Sequence, residues 1–75
     1  MDWKNMLRDF REGQAWSAAQ AAREAGVSAR SWQGWEAGDH VPKNCEVVDA
    51  LKICMETHGF NWRAYAAKRR GYRKA

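Results

Sequence analysis

Residues 17–42, SAAQAAREAGVSARSWQGWEAGDHVP, predict two short helices separated by a tight turn. The first helix follows Ser17, because Ser17 and Gln20 have the capping-box spacing in which a hydroxyl and an amide close the open end of a helix. Alanine, the strongest helix former, dominates residues 18–25. Gly26 then ends the helix, because glycine readily adopts the left-handed conformation found at helix C-termini.

The second helix is predicted over residues 29–37, with Ser28 as its N-cap. Trp32 and Trp35 are three residues apart and therefore lie on one face of this helix, which we predict to point inward. Gly38 follows and ends the helix. The opposite face of this helix is left for solvent or for a partner.

An amphipathic helix is predicted on each side of this pair. The helix before the pair covers residues 2–12, from an N-cap at Asp2 to an end at Gly13. Its apolar residues repeat with helical spacing and are Trp3, Met6, Leu7 and Phe10. The helix after the pair covers residues 44–56, with an apolar stripe formed by Val48, Leu51 and Met55.

A fifth helix is predicted over residues 61–70, and residues 71–75 form a basic C-terminal tail. No segment has the alternation that is typical of a strand, so the fold class is all-α. A chain of 75 residues buries only roughly 60% of the surface that its unfolded form exposes. We therefore expect one compact five-helix domain over residues 1–70, with large aromatic side chains filling much of a small core.

The two cysteines, Cys45 and Cys54, fall on one predicted helix. Their nine-residue separation places them about 13 Å apart along the helix axis, too far for a disulfide. No signal peptide is seen at the start, and no apolar run approaches the ~18 residues that cross a membrane. We expect a reduced, cytoplasmic protein with no membrane partner.

The net charge of +4 is distributed unevenly along the chain. Residues 63–75 contain six basic residues and no acidic ones. Residues 1–62 contain seven basic and nine acidic residues, a net charge of −2. Attraction to phosphates must therefore come from the tail and from a few well-placed side chains.

Two short helices joined by a tight glycine turn form a helix-turn-helix. The chain resembles the lambda-repressor-like (Cro/cI-type, XRE) family over about residues 7–51. The features that carry the resemblance are the turn at Gly26, the small Ala22 where the helices cross, the W-E-x-G pattern of residues 35–38 and the following Pro42. This resemblance implies a five-helix fold. It also implies that the second helix of the pair places its N-terminal residues against base edges in the major groove of DNA.

The same resemblance implies that Arg11 pairs with Glu36, which would clamp the helix pair onto the first helix. The sequence departs from the family pattern in three respects. Trp32 and Trp35 are larger than the usual aliphatic residues. Ala18 stands where the family usually has a glutamine that contacts a phosphate. Gly34 stands where the family often has a base-reading side chain.

Candidate base-reading residues lie on the outward face of the helix over residues 29–37. Arg30 comes first, because its guanidinium matches O6 and N7 of guanine, and Gln33 comes second, because its amide matches adenine. Ala29 could meet a thymine methyl group, and Ser31 could bond to a base or a phosphate.

Contacts to DNA phosphates are expected from polar residues near the turns: Ser17, Arg23, Ser28, Lys43 and Asn44. Ser28 is foremost a helix cap, which does not exclude a phosphate contact. The basic segment from Lys68 to Lys74, which joins the end of the predicted fifth helix to the tail, could follow the DNA backbone or only keep the chain soluble. Its cations include Lys68, Arg69, Arg70 and Arg73.

A homodimer is expected on DNA, because one reading helix touches only a few base pairs and two-fold dimers bind paired half-sites. The candidate interface consists of Met55, Phe60, Trp62 and Tyr65. The alternative is that these residues complete the core of the monomer.

No cofactor and no metal site are expected. The potential ligands His40, Cys45, Cys54 and His58 match no standard zinc spacing. A helical chain this short also offers no pocket large enough for a small-molecule substrate, so we predict that the protein is not an enzyme.

The predicted function is sequence-specific binding of double-stranded DNA by a transcriptional regulator, a repressor or autorepressor of a palindromic operator. The size suits a phage, an anti-CRISPR-associated or an antitoxin-type regulator. Two other functions remain open. The first is a protein-interaction adaptor built on a helix-turn-helix scaffold, which the net charge of −2 over residues 1–62 favours. The second is an RNA-binding regulator.

Overall fold

The computed structural model describes residues 2–65, and these residues are helical with no strand among them. Four helices follow one another: α1 (Trp3–Gly13), α2 (Ala18–Ala25), α3 (Ala29–Ala37) and α4 (Cys45–Thr57). Residues 63–65 are again helical at the point where the predicted fifth helix begins. The rest of that predicted helix and the basic tail lie outside the described residues. The all-α prediction is confirmed.

Each of the four helices begins at a polar N-cap whose side chain accepts a backbone N–H from the first turn. The donors lie 2.8–3.3 Å from the capping oxygens, which belong to Asp2, Ser17, Ser28 and Asn44. These caps satisfy backbone donors that a helix leaves unpaired. Short polar residues therefore set the starts of all four helices close to their predicted positions.

The four helices also share one way of ending. In each, a residue in the left-handed region is followed by a residue that donates its backbone N–H to the carbonyl five positions earlier, as in a Schellman motif. Val27 N lies 2.9 Å from Ala22 O after α2, and Asp39 N lies 3.0 Å from Gly34 O after α3. The left-handed residues after these two helices are the predicted Gly26 and Gly38, with φ of 78° and 84°.

The end of α1 differs from the prediction. Gly13 is the last helical residue, and the left-handed position is taken two residues later by Ala15, with φ of 59°. Trp16 N donates to Arg11 O at 3.1 Å and completes the motif. A non-glycine residue in this region costs free energy, because its Cβ comes close to the backbone.

The core is built from all four helices, with α3 packed against both α1 and α2, and α4 packed against α2. Trp32 is the largest fully buried side chain, and Trp35 is buried beside it, as predicted. The alanines of α2 supply small buried residues that let α3 approach closely. The remaining buried apolar residues include the predicted face of α1, which consists of Trp3, Met6, Leu7 and Phe10.

Met55 belongs to the core of the monomer. Its side chain is 1% exposed and lies in the buried stripe of α4 with Leu51 and Cys54. The expectation that Met55 lines a dimer interface is therefore corrected, because a side chain buried within its own chain offers no surface to a second one. Val48, also predicted in this stripe, is half-buried and packs against the core.

The segment after α4 folds back onto α1. Phe60 packs between Phe10 and Tyr65, with ring centroids 5.4 and 5.6 Å away. The Tyr65 hydroxyl donates to Asp9 Oδ2 at 2.5 Å. Partial burial, together with this hydrogen bond, raises the pKa of Tyr65 to about 12. Within the described part of the chain, these residues help to complete the monomer, which is the alternative that the sequence left open.

Cys45 is exposed and Cys54 is buried, and both are free thiols. Burial, with a smaller effect of the nearby Glu24 carboxylate, raises the pKa of the Cys54 thiol. Within residues 2–65, no group of histidine, cysteine and acidic side chains could hold a metal ion, and no helix is long and apolar enough to span a membrane.

We predict that Ala15→Gly stabilises the protein by about 0.5 kcal/mol. The substitution removes the strain of a left-handed alanine, and the larger entropy of glycine in the unfolded chain offsets part of the gain. The measurement is urea denaturation followed by circular dichroism. The matched control is Ala19→Gly on the exposed side of α2, which should destabilise by about 1 kcal/mol. A loss of stability in Ala15→Gly as large as that in the control would contradict this account of the turn.

Candidate nucleic-acid interface

The connection between α2 and α3 is a three-residue turn formed by Gly26, Val27 and Ser28. The left-handed Gly26 reverses the chain, and the half-buried Val27 packs against the core. Ser28 then caps α3, with its hydroxyl 3.1 Å from the backbone nitrogen of Ser31. This geometry is the helix-turn-helix that the sequence predicts, with α3 in the position of the reading helix.

One face of α3 points away from the core. Because α-helical residues repeat every 3.6 positions, the side opposite the buried Trp32 and Trp35 carries residues 30, 33, 34 and 37. Arg30 and Gln33 are both exposed on this face. The structure therefore brings the first two candidates for base reading onto one accessible surface, which we call the outward face of α3.

The other two candidates flank this face. Ala29 is half-buried and packs against the core, so only part of its methyl group is accessible. Ser31 is half-buried, and its hydroxyl accepts a hydrogen bond from Ser28 Oγ at 2.9 Å. The side chains of both residues are less accessible to DNA than those of Arg30 and Gln33, because they lie close to the buried face of the helix.

A network around Glu36 holds α3 against α1. Arg11 Nε lies 2.7 Å from Glu36 Oε2, and the second guanidinium nitrogen of this fork lies 3.0 Å from Oε1. The remaining terminal nitrogen of Arg11 donates to the carbonyl of Trp16 at 3.2 Å. The indole N–H of the buried Trp32 also donates to Glu36 Oε2. One carboxylate thus collects donors from both helices.

The network is partly buried, with side-chain exposures of 22% for Arg11 and 15% for Glu36. The hydrogen bond to Glu36 raises the pKa of Arg11, so the guanidinium stays charged. Partial burial strengthens a bidentate pair relative to one on an open surface. The structure brings together the two residues that the resemblance implied, and their pairing fixes the rotation of α3 about its own axis.

The five candidates for phosphate contact are all exposed, and they lie at or near the helix ends: Ser17, Arg23, Ser28, Lys43 and Asn44. Three of them are N-caps whose oxygens already accept backbone N–H groups, namely Ser17, Ser28 and Asn44. Capping leaves the hydroxyl of Ser17 and the amide N–H₂ group of Asn44 able to donate to an anion, whereas the Ser28 hydroxyl already donates to Ser31 Oγ. The cations Lys68, Arg69, Arg70 and Arg73 lie outside the described residues.

No acidic side chain lies on the outward face of α3, and the exposed Asp39 follows the helix after Gly38. Glu36 is paired with Arg11. The exposed Arg30 therefore has no acidic neighbour on the outward face of its own helix, where the other positions are glutamine, glycine and alanine.

Sequence reasoning missed the position of His40. This residue follows α3, and its imidazole lies against Gly34 on the outward face. A Cβ atom at position 34 would collide with His40 Nε2 and lie 2.9 Å from Cδ2. The sequence signal that could have indicated this contact was a glycine inside a predicted helix. Glycine there lowers helix stability by about 1 kcal/mol relative to alanine, so its presence calls for an explanation.

We predict that Glu36→Ala destabilises the protein by about 2–3 kcal/mol, because it leaves the partly buried Arg11 and the indole of Trp32 without their acceptor. The measurement is again urea denaturation. Glu12→Ala is the control, since Glu12 is exposed and lies 4.0 Å from the same guanidinium, and its removal should cost less than about 0.5 kcal/mol. Equal losses in the two variants would show that the network does not hold α3 in place.

Comparison with known proteins bears on the same region. A family model described as a helix-turn-helix domain matches residues 5–58, which cover α2, α3, α4 and all of α1 except its first two residues. No curated protein and no solved structure gives a significant match. The family match spans more than half of the chain and agrees with the resemblance drawn from residues 7–51. The chain therefore belongs to the family of helix-turn-helix domains, consistent with the lambda-repressor-like regulators that bind DNA.

Proposed function

We propose that this protein is a transcriptional regulator that binds double-stranded DNA in a sequence-specific manner and acts as a repressor or autorepressor. The observation that carries the proposal is the outward face of α3, where Arg30 and Gln33 are exposed opposite the buried Trp32 and Trp35. A helix presented in this way fits the width of the major groove of B-form DNA. A DNA-binding protein that occupies an operator can repress transcription simply by blocking RNA polymerase.

The side chains on and beside this face suit different base edges. Arg30 would donate two hydrogen bonds to guanine, and Gln33 would bond to adenine through its amide. The accessible part of the Ala29 methyl group would contact thymine. Ser31 accepts a bond from Ser28 and can donate its own hydrogen to a base or a phosphate.

Contacts to the sugar–phosphate backbone would orient α3 in the groove. Ser17, Ser28 and Asn44 stand at helix N-termini, where backbone N–H groups and the helix dipole favour an anion. Arg23 and Lys43 are exposed cations on the elements next to α3. The basic tail would add attraction that is independent of base sequence.

A two-fold dimer on a palindromic operator is part of the proposal. One reading helix contacts only a few base pairs, and pairing two copies across half-sites one turn of DNA apart provides the missing specificity. The half-buried Phe60, Trp62 and Tyr65 keep some exposed surface and remain candidates for the contact between copies. Lys52 Nζ and the guanidinium carbon of Arg63 each lie 4.5 Å from the ring centroid of Trp62, which limits the ring surface that Trp62 can offer to a second chain.

A titration of filter-bound complexes against salt tests the proposal. Binding of random-sequence duplex DNA should weaken steeply with salt, because phosphate contacts release counterions. Structured RNA serves as the competitor. Absence of duplex binding at low salt would contradict the proposal and favour the adaptor, for which the negative charge of residues 1–62 argues. Preference for the RNA competitor would instead favour an RNA-binding regulator.

We predict that Arg30→Ala weakens binding to the preferred duplex by about 1–3 kcal/mol and relaxes base preference at one position. The measurement is selection of bound fragments from random duplex DNA, followed by affinity measurement. Arg30→Lys is the matched control, because it keeps the charge but loses the planar fork, and it should also lose the base preference while keeping most of the nonspecific affinity. An equal loss on all sequences in Arg30→Ala would argue against direct readout.

We predict that removal of residues 68–75 weakens binding to all duplex sequences alike. The deletion should also make the salt dependence less steep, by a slope of about 0.9 for each lost phosphate contact. The selected consensus should not change. A salt slope equal to that of the full chain would assign the tail to solvent.

A further inference from the structure

We propose that His40 is a further specificity-determining residue, whose imidazole replaces the side chain that Gly34 lacks on the outward face of α3. The inference rests on the proposed function, because it adds a base-reading residue to the same surface. The ligand is a hydrogen-bond acceptor on a base edge in the major groove, such as N7 or O6 of guanine.

The first observation is the position of Gly34. It lies four residues after Arg30, and residues with this spacing are neighbours on one face of a helix. A side chain at position 34 would therefore continue the surface that Arg30 begins. The backbone of Gly34 is instead covered by the imidazole of His40, whose Cδ2 and Cε1 would lie 2.9 and 3.0 Å from a Cβ at this position.

The second observation is how the chain holds His40 there. The end of α3 brings the following residues back toward Gly34, since Asp39 N donates to Gly34 O at 3.0 Å. The His40 ring then meets the edge of Trp35, with centroids 6.3 Å apart and planes at 75°. Pro42, two residues later, is buried and anchors the connector. His40 is thus positioned by the turn after α3 and by its ring contact with Trp35, and it nevertheless remains exposed.

The chemistry of the group fits the place. Nε2 of the imidazole points at Gly34, so Nδ1 is the ring nitrogen left for a base edge, and it donates a hydrogen bond whenever it carries a hydrogen. Arg30, Gln33 and His40 would then form one reading surface, with two residues supplied by the helix and the third by the loop after it. The absence of a side chain at position 34 becomes a requirement for this arrangement, because even a methyl group there would displace the ring.

Selection from random duplex DNA with the full-length protein tests the inference. We expect His40→Ala to lose base preference at one position of each half-site and to bind the unmodified protein's consensus about 3–10-fold more weakly, as expected for one lost hydrogen bond. Val41→Ala is the matched control: Val41 is exposed in the same connector, and this variant should keep the full consensus.

Gly34→Ala provides an independent variant that retains His40. The added methyl group should displace the imidazole, so this variant should lose preference at the same position, and the double variant Gly34→Ala/His40→Ala should lose no more than His40→Ala. Ring-proton chemical shifts of His40 report the displacement without DNA: they should move toward those of a solvated histidine when the ring leaves Trp35. Circular dichroism establishes that each variant is folded.

The outcomes separate the two proposals. An unchanged consensus and affinity in His40→Ala would overturn the role of His40 and leave the proposed function standing. A shift of the His40 resonances in Gly34→Ala together with an unchanged consensus would likewise overturn the role of His40 and leave the proposed function standing. Failure of the unmodified protein to select any duplex sequence would overturn the proposed function, and this inference with it.

Discussion

The carboxylate of Glu36 is the constraint on which the presentation of α3 depends. It accepts hydrogen bonds from Arg11 of α1 and from the indole of Trp32, and the same Arg11 also holds the carbonyl of Trp16. A partly buried carboxylate is tolerated only when its charge is paired and its oxygens are hydrogen-bonded. The arrangement that satisfies it also sets which side of α3 faces the core. Arg30 and Gln33 are outward because Trp32 and Glu36 are held inward.

Trp32 shows how a small domain can use a large aromatic residue at its centre. A buried tryptophan contributes a large apolar area, but its indole N–H must find an acceptor. Glu36, one helical turn later, provides that acceptor, and small alanines on α2 provide the space. A tryptophan at position 32 therefore requires the acceptor that Glu36 provides as well as space in the core. This coupling links the stability of the domain to the geometry of its proposed reading surface, since Trp32 and Glu36 also hold α3 in its orientation.

Much of the fold could be predicted from the sequence because the helix ends are determined locally. Ser17, Ser28, Gly26 and Gly38 act within one turn of their own positions, and the helices begin and end beside them. The end of α1 could not be predicted, because Ala15 takes a left-handed conformation that alanine disfavours. The burial of Met55 and the contact between His40 and Gly34 depend on how separate segments meet, which periodicity alone does not determine.

The central claim is that the outward face of α3 meets the major groove, and mapping of backbone amide chemical shifts on addition of a selected DNA duplex tests it most directly. We expect the largest changes to cluster in the turn before α3 and in its first two turns, with smaller changes near Ser17 and Asn44. Changes confined to α4, with the amides of α3 undisturbed at saturating duplex, would contradict it.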